Sequence, residues 1–419
     1  MSSYTIWQRN LIKLLAGIKR SSKNKSNQTL RILCSIILVL GSAIACVDAG
    51  SGQAVTFTTT QLTNNDVDDL NPRISGSNIV WQSGKFERYD VLFYSENQTR
   101  RLTNGKFNNI NPQIYDNYVV WQSTTDKNID SSEIFLFDGK TIRQLTKNRF
   151  YDTSPQIFES SVVWNGYTTG AESTAGVEVF YFNGEKIEQL TKDASLNLDP
   201  QISPDYIGWI RSHPDSNYTQ DEIFIRGDRE RIVKTNKFTK INSLRTSGRN
   251  IVWSGFDGQD LEIFLYDGNR VRQLTDNDVP DLNPQISGNN VVWQGGVASS
   301  QEIFFYNGKN VEQVTENDFN DINPQISGSN IVWSGFENKN YEIFFYNGER
   351  VKKISNNKFD DVDPQISGLN IVWSGIQNLN DSEIFIATPD EEQSASTSTI
   401  AIAVLGVVLL VKLDERSFK

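Results

Sequence analysis

The side chains with binding chemistry to offer recur in short polar stretches. NNDVDDLNP, DNDVPDLNP, ENDFNDINP and NNKFDDVDP each cluster Asn and Asp within a few residues. Carboxylate and amide oxygens at that density suit calcium, which takes about six to eight oxygen ligands. Asp66, Asp69, Asp278, Asp281, Asp318 and Asp321 are the candidate ligands. The competing reading is structural: short polar side chains bond nearby backbone and cap the turn before a buried strand. No stretch has the spacing or the turn glycine of an EF-hand loop, and capping is the simpler account.

A second group is cationic and aromatic. Residues 226–249 carry eight Lys and Arg against Asp228 and Glu230, within an otherwise acidic chain. Beside them stands the single histidine, in RSHPDSNYTQDE. Arg211, His213, Tyr218, Lys237, Lys240 and Arg245 form a candidate seat for an anionic sugar or an acidic partner. Tyr167, Phe256 and Phe336, with Phe86 and Tyr89 of the first unit, fall in loops, where aromatic rings could stack on a sugar or a peptide. Drift of a degenerate repeat, its cations neutralising a neighbouring acidic unit, is the alternative.

Covalent catalysis finds little support. One His and two Cys exclude most zinc, iron–sulfur and Cys/His-nucleophile chemistry. There is no G-x-S-x-G elbow, no H-E-x-x-H and no sialidase-type S-x-D-x-G box. Glycoside hydrolysis would need two acids about 5–10 Å apart, and nothing in their order singles out a pair. No catalytic residue is assigned. Residues 48–419 carry 33 basic and 51 acidic groups, a net charge of −18. Such a surface argues against nucleic acid or anionic lipid as a general partner.

The elements that must hold these residues are repeated. Apart from Trp7, every tryptophan occupies one place in a unit: Trp81, Trp121, Trp164, Trp209, Trp253, Trp293, Trp333 and Trp373. Their separations are 40, 43, 45, 44, 40, 40 and 40 residues. Each unit divides into four β-branched or aromatic runs, such as PQIS, NIVW, EIFFY and RVRQLT. Gly-Ser, Gly-Asn, Asn-Gly or Asp-Gly at the junctions suits tight turns with positive φ. Four antiparallel strands in about 40–45 residues mark a propeller blade. The count predicts an all-β, eight-bladed β-propeller over residues 55–388, or seven blades if one degenerate unit is expelled. AVTFTTTQLT, ahead of the first unit, matches a fourth strand, and the last unit lacks one; pairing the two would close the ring.

Length variation is confined to one place. From each Trp to the acid opening the third strand (Asp90, Glu133, Glu178, Glu222, Glu262, Glu302, Glu342, Glu383) the gap is 9, 12, 14, 13, 9, 9, 9 and 10. From that acid to the next Trp it is always 31. Packed sheets must keep register, whereas a surface loop tolerates insertion. The loop between strands two and three shares a propeller face with the loop between four and one. That face is the expected interaction surface, and the tryptophans are expected in the core.

The run QLT, then N, D and PQISG, then IVW and EIFFYNG, resembles the propeller repeats of TolB-like and WD-repeat-like bacterial proteins. The resemblance covers residues 55–388 and implies a periplasmic or extracellular binding platform. TolB's own N-terminal α/β domain has no counterpart in residues 1–54. Residues 1–49 read as a basic leader and export signal; Ile32–Val47 is 16 residues, against about 20 for a bilayer span. A signal anchor or lipoprotein-type processing at Cys46 are alternatives. Residues 389–399 form an acidic Ser/Thr linker, and 400–419 an apolar tail with a charged end. The tail resembles a degenerate sorting signal of the PEP-CTERM type or a short membrane-associated end.

The expected protein is therefore exported: periplasmic, on the cell surface or membrane-anchored. It binds an envelope protein or glycan without enzymatic action, needs no cofactor apart from the candidate calcium, and meets the membrane through its apolar ends. A polysaccharide-active hydrolase or lyase using loop carboxylates is the alternative.

Overall fold

The computed structural model describes residues 55–390 apart from 87, 125–131, 149, 168–175, 194, 214–219, 228–229, 234–239 and 379–380. The leader, linker and tail therefore lie outside the described residues, as do Tyr218 and Lys237. Every regular element among the described residues is a strand, and there is no helix.

The strands fall into eight successive sets of four, here units 1–8. Unit 7 shows the pattern: Asp321–Ser327, Asn330–Glu337, Asn340–Tyr346 and Val351–Lys353, each antiparallel to the next. Unit 8 supplies three strands, Asp360–Ser367, Asn370–Asn378 and Asp381–Pro389. Its fourth place is taken by Phe57–Gln61, in register from Phe57↔Pro389 to Gln61↔Phe385. Units 2–4 are joined into one ladder by single parallel pairs, Tyr151↔Ser132 and Val177↔Leu196.

The first strand differs from the sequence expectation. Read from sequence, it opens at the proline of PQIS; it actually opens inside the polar cluster, at Asp281 or Asp321, and passes through a bulge. In all eight units one residue of this strand has φ between 48° and 55°: Asn71, Asn111, Ser154, Asp199, Ser243, Asn283, Asn323 and Asp363. The ladder register shifts around each of them. Asn and Asp tolerate the left-handed region better than other residues with side chains. The proline that follows in seven units has no N–H to lose where the ladder is already interrupted.

Burial of the tryptophans joins the units. Each repeat tryptophan is at most 2% exposed. In seven units its ring stacks on a third-strand Phe, with centroids 5.7–5.9 Å apart. Ile331 and Trp333 of unit 7 pack on Val292, Ile303 and Phe305 of unit 6. Ile79 and Trp81 of unit 1 pack in the same way on Val372, Ile384 and Ile386 of unit 8.

A polar seam runs along the turns between first and second strands. Gly368 N–H donates to Ser327 Oγ (2.9 Å), and Asn330 Nδ2 donates to Gly368 O (3.1 Å). The same pair of bonds joins units 5 to 6 and 6 to 7. It also joins unit 8 to unit 1, through Gly76 N–H to Ser367 Oγ (2.8 Å) and Asn370 Nδ2 to Gly76 O (2.9 Å). Sequence reading takes Ser-Gly-x-Asn as a turn motif; its Ser and Asn are also the stitches between units.

Candidate functional site

The rim is built on an invariant pairing. In every unit the residue two past the Trp pairs with the acid opening the third strand, from Ser83↔Asp90 and Gly166↔Glu178 to Gly375↔Glu383. All extra residues therefore lie beyond that pair. The loop above it meets the loop between fourth and first strands directly. Phe336 N–H donates to Asn320 O at 2.8 Å, Phe256 N–H to Lys240 O at 3.0 Å, and Gly296 N–H to Pro280 O at 3.1 Å.

The recurring acids and amides lie beneath this rim as a bonded layer. Glu302 accepts Thr315 Oγ1–H (2.5 Å) and Asn317 N–H (3.0 Å). Asn317 Oδ1 accepts Phe319 N–H (2.7 Å), and its Nδ2 donates to Asp321 Oδ2 (2.8 Å). Asp321 Oδ1 in turn accepts the Trp333 indole N–H (2.9 Å). Asn65–Asp69–Trp81, Asn148–Asp152–Trp164 and Asn277–Asp281–Trp293 repeat the chain. Unit 4 exchanges donor and acceptor: Asn197 Nδ2 donates to Asp193 (3.3 Å), and Asn197 Oδ1 accepts Trp209 (3.1 Å).

Of the calcium candidates, Asp69, Asp281 and Asp321 are thus buried caps with both oxygens bonded, whereas Asp66, Asp278 and Asp318 are exposed on the rim. Three carboxylates do converge within 4.8 Å at Asp257, Glu262 and Asp276, a group that contains none of the six. Sequence reasoning missed it because Asp257 and Asp276 come from different loops.

Burial pushes several of these carboxyls up. Asp152 and Asp361 rise to about 6 and Glu262 to about 7, burial being the largest cause in each. Hydrogen bonds from Thr275 and Asn277 hold Glu262 down in part, and the charges of Asp281 and Asp260 add to the rise. Burial raises Asp69, Asp281, Asp321, Glu178 and Glu383 too.

The candidate cations among the described residues, Arg211, His213, Lys240 and Arg245, each have an acid nearby. Arg211 lies 3.8 Å from Asp193 and 4.3 Å from the Phe224 ring centre; His213 Nε2 is 2.7 Å from Glu222. Lys240 is 3.7 Å from Asp221, and Arg245 is 3.5 Å from Asp199. Lys240 and Arg245 line one cavity of about 330 Å³; Arg211 and His213 are not among its walls. Arg245 itself lies on the first strand of unit 5 rather than in a rim loop.

Among the aromatic candidates, Phe336 sits edge-on to Tyr341 (5.2 Å) and Tyr167 to Tyr151 (6.1 Å), both partly exposed, while Phe256 is half-buried. More exposed still are Phe86 at 90%, which the sequence already offers as a stacking aromatic, and two rim residues it did not single out, Val297 at 56% and Phe319 at 45%. Phe86 also holds φ at 53°, unusual for a bulky side chain.

No family model matches the sequence, and no curated protein matches it. Solved structures do. The β-propeller domain of the Trilobed protease from Pyrococcus furiosus, described as having an open velcro topology, matches with a TM-score of 0.51 at 13% identity. That match covers 70% of this chain and 99% of that one. Acylaminoacyl peptidase from Pyrococcus horikoshii matches at 0.52 and 12% identity, over 75% of this chain but 58% of that enzyme. The computationally designed Ika8 protein matches at 0.54 and 12%, over 77% and 98%. Likeness at these identities speaks to the fold, and the fold is a β-propeller.

Two outcomes follow from the buried layer. Asp321→Asn turns an amide toward the Asn317 amide and should lower stability by about 1–3 kcal/mol, read from denaturant midpoints. Adding Asn317→Asp restores the arrangement seen at Asp193 and Asn197 and should recover most of the loss; a double variant no better than the single one contradicts the network. The raised carboxyls set the pH dependence. Their folded values exceed the unfolded ones, so their stabilisation is complete below about pH 4. It is lost as pH rises through about 6 for Asp152 and Asp361 and about 7 for Glu262. Melting temperature should therefore be higher at about pH 5 than at about pH 8. Glu262→Gln, which keeps an acceptor for Asn277 N–H, should flatten that slope; a melting temperature that rises over the interval would refute the assignment.

Proposed function

We propose that this chain is an exported, eight-bladed propeller closed by Phe57–Gln61, which binds an envelope protein through its rim without catalysing a reaction. The ring is supported by the unit 8–unit 1 seam, whose Ser–Gly and Asn–Gly bonds repeat those between units 5 and 6. The resemblance of the repeats to TolB-like proteins and the basic, apolar leader support a place in the envelope.

One observation carries the binding role. The face with all the length variation also displays Phe86, Tyr167, Val297, Phe319, Phe336 and Ile376 as exposed large apolar side chains. Exposed aromatics gathered on one face mark a protein contact. Phe86 is held outward in a left-handed backbone conformation that brings the fold no packing. The hydrolase alternative has less support: Glu262, the carboxyl raised to about 7, is fully buried and cannot reach a glycosidic oxygen.

Phe86→Asn, Phe319→Ser and Phe336→Ser together leave the core untouched, and Asn suits the Phe86 turn. Crosslinking in envelope membranes should show the wild-type adduct falling by at least about tenfold in this variant, as expected for the loss of aromatic anchors. A control carrying Ile142→Ser and Ile187→Ser on outer edge strands should keep it. An adduct unchanged by the rim substitutions, or new reducing ends released from glycans by the wild type, would overturn the proposal.

A further inference from the structure

The first strands of successive units lie side by side, unit 1 against unit 2 and so on to unit 8 against unit 1. They enclose a polar cavity of about 210 Å³. Its walls come from units 5, 6, 7, 8 and 1, so residues four units apart in the chain reach one space. At the place two residues past the positive-φ position, six units carry glutamine: Gln113, Gln156, Gln201, Gln285, Gln325 and Gln365. Units 1 and 5 carry arginine instead, Arg73 and Arg245, and both line this cavity.

The two guanidiniums are unequally compensated. Arg245 has Asp199 at 3.5 Å and donates to Leu244 O at 2.6 Å. Arg73 donates to its neighbour Pro72 O at 2.9 Å, and no carboxylate forms an ion pair with it among the described residues. Burial pulls Arg73 below the usual guanidinium range; the Asp363 charge works against that fall and the Arg245 charge adds to it. A half-buried guanidinium with no ion pair, sharing its cavity with a second guanidinium, is costly for the bare fold and well placed for an anion. Asn71, Asn283, Gln285 and Gln325 supply neutral hydrogen-bonding groups around the same space, and Asp363 adds one carboxylate to its walls.

We propose that this inner cavity binds a small multiply charged anion, with phosphate or carboxylate groups held between Arg73 and Arg245. Guanidinium forks match the paired oxygens of such groups. The cavity volume lies below the roughly 300–1,000 Å³ of drug-sized sites, which restricts the occupant to a small acid. The site is separate from the rim, so its failure leaves the protein-binding proposal standing, and the reverse.

The test uses the full chain at low ionic strength, with inorganic phosphate, citrate and neutral glucose as probes in calorimetric titrations and thermal shift. Arg73→Gln and Arg245→Gln install the residue that the other six units already carry, so the fold is kept. Phosphate or citrate, and not glucose, should bind the wild type and raise its melting temperature. Each single substitution should weaken binding by at least about tenfold, or about 1.4 kcal/mol, and the double variant should lose it. Arg73→Lys should fall between wild type and Arg73→Gln, because a point charge replaces a fork. Phosphate-only binding identifies an oxyanion site, and citrate-only binding a carboxylate site. Wild-type protein that binds neither, or a double variant that binds as tightly as wild type, overturns the proposal.

Discussion

Burying eight large indoles to pack one sheet on the next also buries eight indole N–H groups, and no water reaches them there. In six units an Asp or Asn at the start of the first strand accepts that proton. An unsatisfied buried donor would cost about 1–3 kcal/mol, so the acceptor is tied to the tryptophan. Where the acceptor is Asp, in units 1, 3, 6 and 7, its remaining oxygen takes an amide N–H from an Asn four residues earlier in the preceding loop. The Glu of the third strand then caps the same loop from the unit before. The polar layer is therefore a continuation of the core and binds each loop to the sheet beneath it.

That layer separates two faces with different freedoms. On one side, Ser-Gly-x-Asn turns bond to the next turn, and a residue gained or lost there would break the seam. On the other, once the loop is past its invariant pair with the capping acid, nothing fixes its length. Insertions gather there, and so do the exposed aromatic side chains. Because the carboxylates lie below the surface and burial raises several of them, Glu262 as far as about 7, they add less negative charge to the rim than their number suggests. A face with muted charge and exposed rings suits protein contact better than ion capture.

The inner wall follows another logic. Every first strand bulges at a positive-φ residue, and in units 1 and 5–8 the residue two positions later lines the inner cavity. Glutamine there fills the space without charge. Arginine in two units four apart breaks that neutrality in a cavity that no outer loop contributes to. The inner wall and the rim thus differ in chemistry, although the same strands carry both and Arg245 also lines the cavity that Lys240 reaches.

Much of this was legible in the residues. The period of the tryptophans, the turn glycines and the constant spacing of 31 residues reveal four-stranded repeats and the place of length variation, because period-two alternation and turn chemistry are local properties of the chain. The polar clusters were visible, but their role as caps depends on an indole 12 residues away and a glutamate from the preceding unit. Arg245 was picked out as a cation, yet its position on the inner wall follows from a bulge that strand periodicity does not reveal. Arg73 passed as an ordinary substitution. That Arg73 and Arg245 line one cavity, and that Asp257, Glu262 and Asp276 converge, was decided when chain segments far apart in sequence came together, since distance through space leaves no trace in the local pattern of either one.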